Sequence, residues 1–466
     1  MGHAHSIPGH DCFLAAVGNN TNLVAFPGEP FFPLRNLPLY NLNLPVAPAV
    51  ITSPKTADQV SKIVRCADAN GYKVQAYSGG HSYGNYGLGG ADSAIVVDLK
   101  HFQQFSIDNT SHIATIGAGT LLGDVHQRLY QAVGSGGHFT IGGLGPMSRN
   151  WGTALDHIQE VEVVLANSSI VRASDMQNQD IFFAVKGAAA SFGVVTEFKV
   201  HTHPAPQEAF QYSYSFSIGT AASRAQIFKD WQRLITQENL TRKFASELVI
   251  FEGGVIISGT FFGSRVEFNT FQLEKKFPLS NSGTVAYLTN WLGMLSSQAE
   301  DLMLRIAGSV STSFYAKSMS FTPQSLIPDA GLEVMFQYLD TTPKGTLAWF
   351  VIFDLEGGAT NDVPVNATAY AHREAIMWMQ SYAISFSEPV SSTTKRFLND
   401  LHGVLSAARP GADLHSYPGY VDPDLANAQK AYWGPNLARL QRIKTDVDPK
   451  DVFHNPQSVQ AIPKTP

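Results

Sequence analysis

Three glycine clusters lie close together in the first half of the chain: SGGHSYGNYGLGG at residues 78–90, GAGTLLGD at 117–124 and GSGGHFTIGGLG at 134–145. The strand-like run KVQAYS leads into the first and AIVVDL follows it; IATI leads into the second; the helix-like QRLYQAV leads into the third. Glycine has no Cβ, so these loops admit close approach of another backbone or of a ligand. One such loop is an ordinary turn. Three of them beside strands and helices of one module restrict the fold to those that gather loops around a bulky group. Backbone N–H groups freed of side chains suit an anionic group best. A reactive ring, His81, stands inside the first loop.

The second cluster imitates the start of a dinucleotide fingerprint at Gly117-x-Gly119, but the next glycine, Gly123, comes one place too late. No second parallel strand ending in an acidic residue follows about 20 residues on, so a nicotinamide-type Rossmann site is not expected.

Around the loops, APAVITSPKTADQVSKIVRCADANGYKVQAYSGG reads as strand, helix, strand. Thr56 caps the helix, Val60, Ile63, Val64 and Ala67 form its apolar face, and Asn70-Gly71 ends it. HIATIGAG reads as a strand, LLGDVHQRLYQAV as an amphipathic helix, and EVEVVLANSSIVRAS as a hairpin about Asn167-Ser168. DIFFAVKGA reads as a short helix and GVVTEFKVHTH as a strand. This is an α+β module over residues 40–206. After the prolines of HPAPQEAF the texture changes. GGVIISGTFFG, FYAKSMSFT, LEVMFQYL and TLAWFVIFDL read as long strands, separated by helices such as SRAQIFKDWQRLI. Residues 207–415 are therefore expected to form a second domain, a mostly antiparallel sheet covered by helices on one face. The segment 416–466 contains a capped helix with Leu437, Leu440, Ile443 and Val447 on one side, expected to return to the first module.

The 466 residues are 44% hydrophobic and 15% charged, enough for a large core in two or three domains. A net charge of −6 argues against nucleic acid or an anionic membrane as partner. No apolar run reaches about 18 residues, so no transmembrane helix is expected. MGHAHSIPGHD lacks the regions of a signal peptide, and its histidines read as solvated rather than metal-binding. Cys12 and Cys66 are either two buried thiols or one disulfide. Sequons at Asn19, Asn109, Asn167, Asn239 and Asn366, together with those cysteines, lean towards an oxidising compartment.

Four pieces, in order, carry a resemblance: SGGHSYGNYGLGG, GGHFTIGGLGPMSRNWGTALDHI, VKGAAASFGVVTEFKV and YWGPNLARLQRIKTDVDPKDVFHNPQ. Over residues 40–460 the chain resembles the berberine-bridge-enzyme-like FAD-linked oxidases of the vanillyl-alcohol-oxidase fold, and most of all the fungal oligosaccharide oxidases. The resemblance implies an FAD-binding PCMH-type domain followed by a substrate domain. It implies a monomeric, secreted glycoprotein that oxidises the anomeric C1 of an oligosaccharide to a lactone while dioxygen becomes hydrogen peroxide. It places Gly79 and Gly80 at the FAD pyrophosphate and makes His81 the covalent link to the flavin 8α-methyl. Ser82, Gly142, Gly143 and Gly145 line the cofactor, as does the segment Gly187 to Val194, with Gly193 and Val194 acting through backbone atoms. Tyr417 or Tyr420 is the base, Asp354 in FVIFDLEGG its partner, and Tyr83 and Gln380 are substrate-side residues. Sequence leaves the base open, with spacing slightly favouring Tyr417. No metal is implied.

Two departures from the family pattern bear on activity. The loop of form H-G-x-C that bears a second, cysteinyl flavin link is absent between Val133 and Gly134, and Cys12 and Cys66 match the family's disulfide positions instead. Single attachment at His81 follows. Gly419 stands in HSYPGYVD where the family carries asparagine. Two other readings stay open at this point: an FAD-dependent oxidase of a secondary metabolite, and a flavin- or sugar-binding variant silenced by the missing loop.

Overall fold

A computed structural model of the protein describes residues 7–28, 37–121, 124, 136–217, 219–278, 280–288, 311–386 and 389–463. The helix expected over LLGDVHQRLYQAV and the junction Val133-Gly134 lie outside the described residues.

The first unit is built on two sheets. In the smaller, Val50–Thr52, Ile95–Asp98 and Val74–Tyr77 run parallel, with Val24–Ala25 antiparallel at one edge. Ile95, Val96 and Val97 are fully buried, as expected of a parallel strand covered on both faces. The edge strand lies upstream of residue 40, so the unit starts earlier than the sequence pattern indicates. Helix Ala57–Ala69 forms as read: Thr56 Oγ1 accepts from Gln59 N at 3.3 Å, and Val60, Ile63, Val64 and Ala67 are fully buried. Cys66 on its buried side joins Cys12 of helix His10–Ala16 in a disulfide with Cα atoms 5.8 Å apart.

The second sheet is antiparallel, in the order Phe105–Asp108, Ile113–Gly117, Val194–His201, Ile158–Val164, Ile170–Ser174. The expected hairpin joins its last two strands.

A seven-stranded antiparallel sheet follows, in the order Ser282–Leu288, Ala209–Phe216, Gly254–Phe261, Glu247–Phe251, Trp349–Leu355, Met377–Ser385, Ser313–Phe321. Helices Ala221–Ile235, Asp329–Thr341 and Ser392–Ala407 bury one of its faces; Trp231, Leu332 and Leu401 meet Leu248, Val351 and Met379 there. LEVMFQYL is part of the second of these helices and not a strand. Its letters favour a strand, but its buried residues are Leu332, Met335, Phe336 and Leu339 while Val334 is exposed. That spacing is helical, and burial on one stripe outweighs β-propensity.

The two units lock through buried polar contacts. Arg149 donates from Nε to Phe244 O at 2.9 Å and from Nη1 to Glu356 O at 2.5 Å. Asp156 and Arg373 form a two-pronged ion pair at 2.6 and 2.9 Å. Burial opposes the charge on Asp156, but the Arg373 guanidinium outweighs it and holds the carboxyl below the usual range. The C-terminal helix Leu437–Val447 returns to the first unit as expected. Its buried Lys444 donates to Ser191 O and Phe453 O, both at 2.8 Å, and pairs with Asp448 at 2.7 Å. Val74 N donates to Val452 O at 2.8 Å, so the tail extends the parallel sheet.

Two stability predictions follow from these ties. Arg373→Ala leaves the Asp156 charge buried and unpaired, so chemical denaturation should register a loss of about 3–5 kcal/mol. Replacing Cys12 and Cys66 by serine frees a loop whose ends are 54 residues apart, at a cost of about 4 kcal/mol in the chain-entropy model. Thiols that label readily in the native, unreduced protein would contradict the second.

Candidate active site

The first glycine loop leaves strand Val74–Tyr77 through Gly80, at φ +71°, where a Cβ would lie 2.1 Å from Tyr77 Oη. Only glycine fits that turn. Ser78 Oγ donates to Ala118 O at 2.7 Å and ties the loop to the second cluster. His81 follows with its ring exposed in a recess, stacked on Tyr40 at 4.8 Å. The surrounding protein lowers its pKa below the ordinary histidine value, so the ring is neutral. Ser82 Oγ accepts from Tyr86 N at 3.0 Å and so shapes the loop. Asn85 Oδ1 accepts from Tyr40 N at 3.0 Å and fixes Tyr40 against His81.

The third cluster meets the C-terminal segment. Gly142, at φ +148°, has Tyr417 Oη 2.8 Å from where its Cβ would be, and Gly143 N donates to Tyr417 Oη at 3.1 Å. A Cβ at Gly79 would meet only Leu121, in ordinary contact, and one at Gly145 would meet nothing within 4 Å; the Gly145 N–H itself donates to Ser148 Oγ at 2.8 Å. Side-chain-free backbone at Gly79 in the first loop and Gly145 in the third, where a Cβ would meet open space or one ordinary contact, admits close approach of an elongated cofactor, and the residues present therefore fit FAD. The other glycines are explained by the protein itself. Gly117 and Gly119 press on the carbonyls of Phe102 and Leu99; Gly187 abuts Ala369 and Tyr370; Gly193 abuts Val163 and Val164. Val194 is fully buried in its strand, so only its backbone is open to a role.

The sheet face away from the helices completes the site. Asp354 pairs in register with Glu247 on one side and Trp378 on the other; Gln380, two residues further on, shares that face. Gln380 Nε2 donates to Tyr83 Oη at 2.8 Å, so the two expected substrate-side residues meet across the units. Tyr83 stacks near Tyr420 at 6.0 Å, and Tyr420 meets Tyr417 edge-on at 5.1 Å. Burial pushes the Asp354 carboxyl up to about 7. Burial first, and then the charge of Asp354, push Tyr420 well above the ordinary phenol value. Asp354 and Tyr420 nevertheless keep some accessible surface. Neither the Asp354 carboxylate nor the Tyr420 hydroxyl has a hydrogen-bond partner among the described residues.

The expected residues are thus linked in one run of ring and hydrogen-bond contacts from His81 through Tyr40, Tyr83 and Tyr420 to Tyr417 and Gly143. Sequence reasoning did not single out Tyr40, Glu247 or Glu356. Glu356 has a faint signal, two places after Asp354 on one strand path; it is 5% exposed, and burial raises its pKa well above the usual range. Glu247 offers another, a carboxylate opening the apolar run LVIF. Tyr40 offers none. The departure at Gly419 has a steric reason: a Cβ there would lie 2.4 Å from the Tyr417 ring. Both cysteines are used in the disulfide, so no thiol of this chain remains for a flavin link.

Residues 48–174 match the family model of an FAD binding domain, and residues 416–460 match that of berberine and berberine-like proteins. The FAD-linked oxidoreductase sorD of Penicillium rubens is 42% identical over 97% of this chain and 98% of its own length. The structure of a xylooligosaccharide oxidase from Myceliophthora thermophila, in complex with xylobiose, superposes with a TM-score of 0.88 at 28% identity, covering 98% of this chain and 100% of that one. A glucooligosaccharide oxidase structure from Acremonium strictum, bearing a 6-S-cysteinyl, 8α-N1-histidyl FAD, covers the same shares at TM-score 0.86 and 27% identity. The glycine cradle, the returning C-terminal segment and these relatives agree: the chain is an FAD-dependent oxidoreductase and belongs to the berberine-bridge-like FAD-linked oxidases.

Proposed function

We propose that this enzyme oxidises the anomeric C1 of an oligosaccharide, a hemiacetal carbon, to a lactone. The observation that carries the reading is the juxtaposition of Asp354 and Tyr420, two ionisable groups facing one cleft without partners of their own. FAD, when bound, supplies a two-electron acceptor that dioxygen restores, with release of hydrogen peroxide. The chain supplies the rest. Tyr420 Oη takes the proton of the substrate hydroxyl. A phenol is a poor base at neutral pH, and an adjacent carboxylate that accepts the phenol proton corrects this. Asp354, poised near pH 7, suits that task. Tyr417 is engaged by Gly143 N and is assigned to hold the glycine loop. Tyr83 and Gln380 orient the substrate through their shared hydrogen bond. His81 carries the flavin alone, in contrast to the doubly linked glucooligosaccharide oxidase.

A second reading, an aromatic or terpenoid alcohol as substrate, is favoured by the aromatic wall of Tyr40, Phe314 and Tyr382 around Tyr83. The disulfide and the exposure of all five sequon asparagines support an oxidising compartment and glycosylation. No helix among the described residues is long and apolar enough to cross a membrane.

Anaerobic mixing with cello-, xylo-, malto- and chito-oligosaccharides tests the first reading. Bleaching of the flavin by a sugar supports it, whereas bleaching by a non-sugar alcohol alone establishes the second. With a working substrate, Tyr420→Phe and Asp354→Asn should each lower kcat and kcat/KM together by about 10²–10⁴-fold, and Tyr417→Phe by much less. The active form of Asp354 is the carboxylate. Flavin reduction should therefore slow as pH falls through about 7, and Asp354→Asn should abolish that limb. Acid-denatured His81→Ala should release all of its flavin; retained flavin would refute the single link.

A further inference from the structure

Away from the cleft, His157, His201 and His203 each bring a ring nitrogen within 4.8 Å of the other two. The backbone explains why. Strands Ile158–Val164 and Val194–His201 are antiparallel neighbours with Ile158 opposite Val200, which sets His157 beside His201. His203 follows His201 by two residues, and Thr202 is held by its N–H to His112 O at 2.8 Å, so the chain stays extended and both rings share a face. His203 Nε2 lies 3.3 Å from His157 Nδ1, and the Trp151 ring stacks on His203 at 4.6 Å. Among the described residues this is the one group of three histidine, cysteine or acidic side chains arranged so.

We infer that these three histidines form a binding site for one divalent transition-metal ion of the zinc or copper type. Bonds of about 2.0–2.1 Å in a tetrahedral array place ligand nitrogens about 3.3–3.4 Å apart, which is the separation already present between His203 and His157. His201 is exposed and closes the remaining gap by turning its ring. The two half-buried rings are already held by their mutual contact and by Trp151, so little ordering is left for the ion to impose. Three imidazoles without a carboxylate select zinc and copper over magnesium and calcium. They also leave a fourth position open on the exposed side. The site stands at the junction of the units. The segment that carries His157 and Trp151 also carries Arg149 and Asp156, whose bonds reach Glu356 O and Arg373. An ion here fastens the ends of two strands at the point where that segment leaves the sheet, and so stiffens the seam between the units.

The test uses holoenzyme stripped with a chelator, in a background where His3, His5 and His10 are alanine so that the N-terminal imidazoles do not compete. Equilibrium dialysis against micromolar zinc, with metal counted by mass spectrometry, should find one ion per chain. Zinc at 100 times its Kd should raise the unfolding midpoint by about 2–3 °C. His201→Ala, on an exposed ring and harmless to folding, and His203→Gln should each weaken binding at least tenfold while basal turnover stays the same. Copper should quench tryptophan fluorescence in saturable fashion, and Trp151→Phe should remove most of that quenching. Failure to take up zinc at micromolar concentration, or undiminished binding in both histidine variants, overturns the site.

Discussion

An unpartnered carboxyl deep in a protein is costly, and the second unit is organised to hold one. Asp354 lies between Glu247 and Trp378 on two flanking strands, so the ladder fixes its position whatever its charge. The opposite face of the same strand is packed by Val351 and Phe353, both fully buried under three helices. The apolar face thus secures a polar one. A hydrogen-bond donor aimed at Asp354 would lower the energy of the fold and also hold the carboxylate where it could not serve as a proton acceptor.

The seam between the units combines polar ties with apolar packing: Ala369, Tyr370 and Trp378 of the second unit join the core of the first, and Phe314 and Tyr382 pack on Tyr83. Arg149, Asp156 and Arg373 concentrate charge at the seam, where Arg149 bonds to carbonyls and Asp156 and Arg373 pair with each other. Near these contacts the space a Cβ would need at Gly79 and Gly145 stays open, and Tyr420 keeps some accessible surface. Tyr417 works on both sides of this seam: its amide donates to Ser318 Oγ of the sheet at 3.0 Å and its hydroxyl receives Gly143 N.

Much of this was legible in the residues, and the failures have physical causes. Helix Ala57–Ala69 announces itself through cap, period and stop, all local features. The strands of the large sheet read well where apolar runs are long. Helix Asp329–Thr341 misled because valine, phenylalanine and tyrosine favour strands, whereas the period of the buried stripe carries the answer. In the site, glycine loops and His81 stand out from sequence. The difference between Tyr417 and Tyr420 does not, since it lies in a glycine amide 274 positions away that donates to the Tyr417 hydroxyl. Tyr40 was invisible for the same reason. Its role comes from Asn85, which draws it over His81.

The return of the C-terminal tail has a consequence for biosynthesis. Strand Val74–Tyr77 leads directly into the first glycine loop, yet Val74 N is satisfied by Val452 O, and Ser191 O by the buried ammonium of Lys444. A chain emerging from the ribosome therefore contains the whole helix-covered sheet of the second unit before it contains the last pieces of the first. No nascent fragment shorter than nearly the full sequence holds a finished cradle for the cofactor. Flavin loading belongs to the released polypeptide, and a premature stop late in the reading frame would spare most of the mass of the protein while leaving the cradle incomplete.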